Sequence, residues 1–288
     1  MGAANTPQMA VLAQIYAGAL RDSGTAVSSS VRIGDDRTLL DEMDSAQVDL
    51  FPAYTGRLLA QLAPELTPVT ADDVYTDLNK SLPQGVSVGD ATMVSATPQV
   101  FVATRSAEQT TGADLADCGR LTAGLPVVVV GAPDETVLRE FAAAGCRFGP
   151  VESVPSSNEA AARVASGAAV GVMTPLDVAD DSTSATADSG TTADSGTTAA
   201  QASGPQIRPL LSQTSDTQGP TTTAVVGPPA QQLVPVYRTA AFSRDQVKTV
   251  NKVAGELTAA DLATLTRRTL AGEHPAELAG EWLAEHSL

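Results

Sequence analysis

Apolar residues recur at helical spacing in one stretch of this chain after another. Leu12, Ile15, Tyr16, Ala19 and Leu20 mark one face of a helix that Thr6 can cap, Pro7 can open and Gly24 can end. Over residues 25–33 the pattern changes to alternation, with Val27, Val31 and Ile33 on one side, which predicts a half-buried strand. Asp35-Asp36 then lead into a helix carrying Leu39, Leu40 and Met43. Val48, Leu50 and Phe51 read as a short buried strand stopped by Pro52, and Thr55-Gly56 opens a helix with Leu58, Leu59 and Leu62. Strand, helix, strand, helix in succession predicts a parallel sheet with right-handed crossovers.

A second series follows. Residues 72–82 read as a helix, 86–94 as extended chain and 99–104 as a strand. Residues 125–130 (LPVVVV) are apolar throughout, as a central strand covered on both faces would be. That strand runs into Gly131-Ala132-Pro133-Asp134, where Asp134 can cap a helix bearing Val137, Leu138 and Phe141. Residues 159–165 continue as a helix and 169–173 as another buried strand. Between 180 and 205 the apolar pattern vanishes: Asp188-Ser189-Gly190-Thr191-Thr192-Ala193 repeats at once as Asp194-Ser195-Gly196-Thr197-Thr198-Ala199, a low-complexity insertion unable to offset its ordering entropy. Residues 207–211 precede a second loose stretch, 214–229, and 233–237 resume the apolar pattern before three closing helices at 245–255, 259–270 and 275–284, the last with Trp282.

Where a strand end, a tight corner and a helix start meet, as at residues 48–59, an open α/β sheet presents its ligand crevice. Tyr54 offers a ring face and a hydroxyl there, beside the Thr55 hydroxyl. The competing reading makes Tyr54 a half-buried aromatic at a strand end, as Tyr16 and Phe51 read as core.

Composition narrows the function classes. The 288 residues suffice for two domains, 43% of them are hydrophobic and only 3% aromatic, so Ala, Val and Leu must fill the core. A formal charge of −16 leaves no basic stripe for nucleic acid and is repelled by an anionic membrane surface. Cys118 and Cys146 lack further ligands at metal spacing, and stand either as independent buried thiols or as one disulfide, which export would favour. No metal or cofactor is expected. Gly85-Val86-Ser87-Val88-Gly89 fits the G-x-S-x-G nucleophile pattern, yet no helix follows Ser87 directly, and the histidines, His274 and His286, lie in the closing helical region. Asp35-Asp36 and Asp72-Asp73 precede helices and read as caps rather than as paired acids.

Three segments together carry a resemblance: Asn5-Thr6-Pro7-Gln8 before the first helix, D-L-F-P-A-Y-T-G at 49–56, and the terminal pattern running from LVPVYRTAAF at 233–242 to the late P-A-E-L-A-G-E-W-L. The chain resembles the substrate-binding proteins of glycine betaine/choline ABC importers over nearly its whole length, apart from 180–205 and the stretch after Thr214. The resemblance implies an α/β, two-lobed, type II periplasmic-binding-protein (Venus-flytrap) fold, with residues 1–97 and 233–288 in one lobe, 98–232 in the other, and two hinge-crossing strands near Thr97 and Val234. In such proteins a strand precedes the first helix, so the chain is expected to start inside that strand, trimmed or late-starting. The implied role is an extracytoplasmic, periplasmic or lipid-anchored receptor, a monomer rather than an enzyme, which holds a small polar or zwitterionic solute for a permease. A sensor or scaffold of the same fold, or a hydrolase using Ser87, is the alternative.

The resemblance also selects site residues. Tyr54 and Thr55 match an aromatic-box Tyr and its neighbouring Thr, with Asp49 heading the motif. Ser95-Ala96-Thr97-Pro98 stands where the family commonly has Asn-Asn-Thr-Tyr, and Met173-Thr174 stands where a Tyr-Thr pair is frequent, so a full cation box is not visible. A lining of Asn5, Thr6, Gln8, Thr55, Thr97 and Thr174, with Met173 as a soft wall and helix N-termini after Thr6 and Asp134, suits a small zwitterion or polyol.

Overall fold

The computed structural model describes residues 1–108, 114–184, 206–211 and 227–288. The tandem repeat, the remainder of the low-complexity stretch from 185 to 205, and residues 214–226 of the loose stretch lie outside the described residues. The chain forms two compact units, Met1–Ala96 with Pro229–Leu288, and Thr97–Pro228.

The first unit begins with β1 (Gly2–Ala3), α1 (Pro7–Asp22), β2 (Arg32–Ile33), α2 (Asp36–Asp44), β3 (Leu50–Tyr54), α3 (Thr55–Leu62), α4 (Ala71–Ser81) and β4 (Val86–Val88). The second contains β5 (Gln99–Ala103), α5 (Thr104–Ala107), a 3-10 turn at Leu115–Asp117, α6 (Cys118–Leu121), β6 (Val127–Val130), α7 (Glu135–Ala143), β7 (Val151–Val154), α8 (Ser157–Ala165), β8 (Val170–Met173), α9 (Pro175–Ser184) and β9 (Ile207–Leu210). The chain then returns to the first unit as β10 (Leu233–Arg238), a 3-10 turn at Thr239–Ala241, α10 (Arg244–Glu256), α11 (Ala259–Leu270) and α12 (Pro275–Glu285).

Helix α1 starts as its sequence dictates, with Thr6 Oγ1 accepting from the Met9 N–H and Pro7 in the first turn, and Gly24 takes φ +86° just beyond its end. The expected single apolar stripe is too narrow, because Val11, Ala13 and Ala17 are buried as well. Helices α10, α11 and α12 all pack on α1, so it is enclosed on nearly every side. At Gly18 a Cβ would come within 2.4 Å of Leu283 on α12, and glycine is what permits that approach.

Several expectations need correction. The strand expected over 25–33 shrinks to β2, and Ile33 is 54% exposed; among the described residues β2 pairs only with β1, and no sheet face covers it. Ahead of α1, Gly2 and Ala3 form β1, parallel to β2, in the place where a strand was expected. Pro52 does not stop β3 but lies within it, opposite Pro235. The Pro235 carbonyl accepts from Gly89 on its other side. Residue 235 therefore directs its backbone groups away from β3, and the two prolines meet where the ladder needs no N–H. The parallel sheet expected in this half is instead antiparallel, order β3-β10-β4, because its middle strand is supplied by the returning chain. The extended run at 86–94 is strand only as far as Val88. Helix α9 continues beyond residue 180, into the stretch read as insertion.

The second unit is a five-stranded sheet ordered β7-β6-β8-β5-β9, parallel from β7 to β8 and antiparallel on both sides of β5. The all-apolar β6 is explained by its two covered faces. Val127 packs with Phe141, Cys118 and Cys146, while Val128 packs with Val154, Ala160 and Val164 on the other side. Cys118 and Cys146 are joined by a disulfide beneath the first of these faces.

Two outcomes test this packing. Closing a loop with a sequence separation of 28 restricts the unfolded chain, so Cys118→Ala/Cys146→Ala should lower stability by about 3–4 kcal/mol, read from urea unfolding beside the oxidised wild type. The Tyr16 hydroxyl is fully buried with no hydrogen-bond partner among the described residues, and burial pushes its pKa upward. Tyr16→Phe should therefore be neutral or stabilise by about 1 kcal/mol in the same measurement.

Candidate functional site

In the first unit β1 lies along β3: the Met1 amino group is near Asp49, and Gly2 abuts Val48 and Phe51. The carboxyl ends of both strands therefore point the same way, and there α1 and α3 begin. Helix α2 begins beside them, because the Arg57 side chain on α3 reaches its first residue, Asp36. Asn5 and Thr6 are exposed at this end, Gln8 is half-buried, and Tyr54 is 8% exposed at the N-cap of α3. At this end of the unit, helix N–H groups and the carboxyl ends of β1 and β3 face the same way.

Asp35 caps α2 through the Thr38 N–H at 2.7 Å, and that bond holds its carboxyl below the ordinary carboxylate range. Asp36 is not a cap. Its side chain is 1% exposed and takes both Nε (2.8 Å) and Nη2 (3.0 Å) of Arg57. The Arg57 guanidinium carbon also stands 5.8 Å from the centre of the Tyr54 ring, within cation–π range.

Asp49 sits at the opposite end of β3, where its carboxylate binds Nε and Nη2 of Arg238 at 2.9 and 2.7 Å. It ties β3 to β10 and is not brought to Tyr54. Thr55 is fully buried, donating its hydroxyl proton to Ala230 O and accepting from the Gln232 N–H. Its hydroxyl is consumed in fixing the start of α3.

In the second unit the register of β5, β6, β7 and β8 brings Thr97, the 131–134 corner and Thr174 to one end of the sheet, where α7, α8 and α9 begin. Asp134 Oδ1 accepts from the N–H groups of Thr136 and Val137. Thr174 and Asp177 cap each other around the first turn of α9, with Thr174 Oγ1 donating to Asp177 Oδ2 at 2.9 Å. Met173 departs from expectation. It is 3% exposed and packs into the core with Phe101, Val128 and Val164, so it forms no wall of a site.

The G-x-S-x-G pattern has no elbow. Ser87 lies in the middle of β4 with its Oγ 2.8 Å from Thr239 Oγ1, and the His286 ring nitrogen Nδ1 is held by the Trp282 carbonyl on α12. Among the described residues no group of histidine, cysteine and acidic side chains could hold a metal ion.

Residues 1–170 match the family model described as the substrate binding domain of ABC-type glycine betaine transport system, OpuAC. The chain belongs to this family. As an OpuAC-family protein it is a solute-binding receptor, and its fold is the type II, two-lobed binding-protein architecture. It is similar to a glycine betaine/carnitine/choline ABC transporter structure (13% identity, 99% of this chain and 97% of that one, TM-score 0.68). It is also similar to apo YehZ from Escherichia coli (17%, 99% and 97%, 0.64). Lactococcal OpuAC, closed around glycine betaine, is a third (11%, 99% and 94%, 0.52). No curated protein sequence matches it.

Sequence reasoning missed the role of Arg57 in this OpuAC-family chain. Its spacing from Tyr54 was the available signal: three positions apart across a helix start, an aromatic and a cation become neighbours. Its partner Asp36 lies on another helix and leaves no local trace. Arg57→Ala should expose how much the pair matters, because it strands a buried carboxylate. Unfolding in urea is expected to show a loss of about 3 kcal/mol, with a smaller loss for Asp36→Asn/Arg57→Gln, which removes both charges.

Proposed function

We propose that this protein captures a small zwitterionic solute of the betaine kind outside the cytoplasm and delivers it, chemically unaltered, to an ABC permease. The observation that carries this reading is the convergence of Asn5, Thr6, Tyr54 and Arg57 where β1 and β3 end and α1, α2 and α3 begin. Such a place offers hydroxyl, amide, aromatic and guanidinium groups and no nucleophile–base pair, which suits binding rather than reaction.

In this reading Asn5, Thr6, Gln8 and Tyr54 are the solute contacts of the first unit; in the second unit, taken by itself, Thr97, Thr174 and the α7 start at Asp134 are the candidate contact residues. Asp49, Thr55 and Met173 drop out, since an ion pair, a buried hydrogen-bond clamp and the core already occupy them. The two compact units are then the two lobes, the protein acts as a monomer, and a lipid anchor or the periplasm keeps it near its permease. No described helix is long and apolar enough to cross a membrane.

Native mass spectrometry of the freshly purified protein should reveal a bound zwitterion, and calorimetry with glycine betaine, carnitine and polyols should place a betaine-type solute first. Tyr54→Leu, which keeps the bulk and removes the ring that the Arg57 guanidinium packs against, should weaken that solute roughly fivefold with little change in melting. Unchanged affinity removes Tyr54 from the site, and affinity for polyols alone overturns the solute class.

A further inference from the structure

The cation that an aromatic box would take from its ligand is supplied here by the protein itself. The Arg57 guanidinium carbon lies 5.8 Å from the Tyr54 ring centre, so a face of the one box aromatic matched by the sequence already answers a positive charge. A ligand cannot push that charge aside easily. Arg57 is gripped at two points by Asp36, through Nε to Oδ2 and Nη2 to Oδ1, and moving it would leave a carboxylate of 1% exposure without a partner.

The pair is neutral in sum but lopsided in what it shows to solvent. Its negative member is buried, while the Arg57 side chain is 44% exposed. Of the guanidinium's N–H donors, only Nε and one on Nη2 are spent on protein acceptors among the described residues. The rest are available in the fork geometry that fits a carboxylate. The Arg57 backbone N–H, fixed by Gln231 Oε1 at 2.9 Å, belongs to the first turn of α3, whose dipole adds charge of the same sign.

We propose that Arg57 is a specificity-determining residue which occupies the cation's place against Tyr54, engages the solute's carboxylate, and refuses solutes that carry a quaternary nitrogen without a carboxylate. This rests on the solute-receptor reading above and assigns it a ligand charge class.

Glycine betaine and choline make a matched pair of probes, alike at the trimethylammonium and different at the other end. Calorimetry on the full chain should show glycine betaine bound roughly tenfold or more tightly than choline. In Asp36→Asn/Arg57→Gln the gap should shrink to about threefold or less, with choline gaining, whereas Arg57→Lys, which keeps the charge and loses the fork, should retain a preference for glycine betaine smaller than the wild type's. A purely structural staple between α2 and α3 would change melting without changing this ratio. Choline within about threefold of glycine betaine in the wild type, an unchanged gap in the double variant, or no preference in Arg57→Lys would overturn the inference while leaving the receptor reading intact. A wild-type protein that binds neither probe fails the betaine-type reading itself, and the assignment of Arg57 falls with it.

Discussion

Strand β10 lies between β3 and β4, and the order of the first unit depends on that pairing. Its register sets Leu233 opposite Tyr54 and Tyr237 opposite Leu50, so β3 is held along its whole length. The segment just before β10 then fixes the start of α3: Ala230 and Gln232 engage the Thr55 hydroxyl, and Gln231 takes the Arg57 N–H. Gly56 is part of the same clamp, since a Cβ there would come within 2.6 Å of the Ala230 carbonyl oxygen. Tyr54 and Arg57 owe their positions to residues more than 170 places away in the chain.

Distance along the chain also separates what sequence reading found from what it missed. Thr6, Asp35 and Asp134 were legible as helix caps because a cap is completed within a few residues. The burial of residues 127–129 was legible because an unbroken apolar run has few other uses. Pro52 was misread as a stop because only knowledge of its partner, Pro235, shows that no N–H is required there. Ile33 was misread because alternation alone does not reveal whether a sheet face exists to receive it.

The candidate site divides along the same line. The corner at Tyr54 could be seen from a strand, a turn and a helix start in succession, and its family resemblance from a short motif. What Thr55 and Asp49 actually do could not, because their partners, Ala230 and Arg238, belong to the returning chain. Met173 carried the chemistry of a soft wall, but the pleat of β8 turns it inward to Phe101 and Val164. Asp36 looked like one of two equivalent caps, and only the neighbouring helix shows that one acid caps and the other is a buried counter-ion.

The enclosure of α1 by α10, α11 and α12 has a bearing on biogenesis. The second unit is one continuous run of chain, whereas the first is assembled from two pieces that flank it. As a ribosome releases the polypeptide, residues 97–228 emerge as one unbroken stretch, while Leu12, Ile15 and Tyr16 must wait for residues 229–288 before water can leave them. Completion of the first unit is thus a late step in synthesis, and until then its opening helix is an exposed apolar surface.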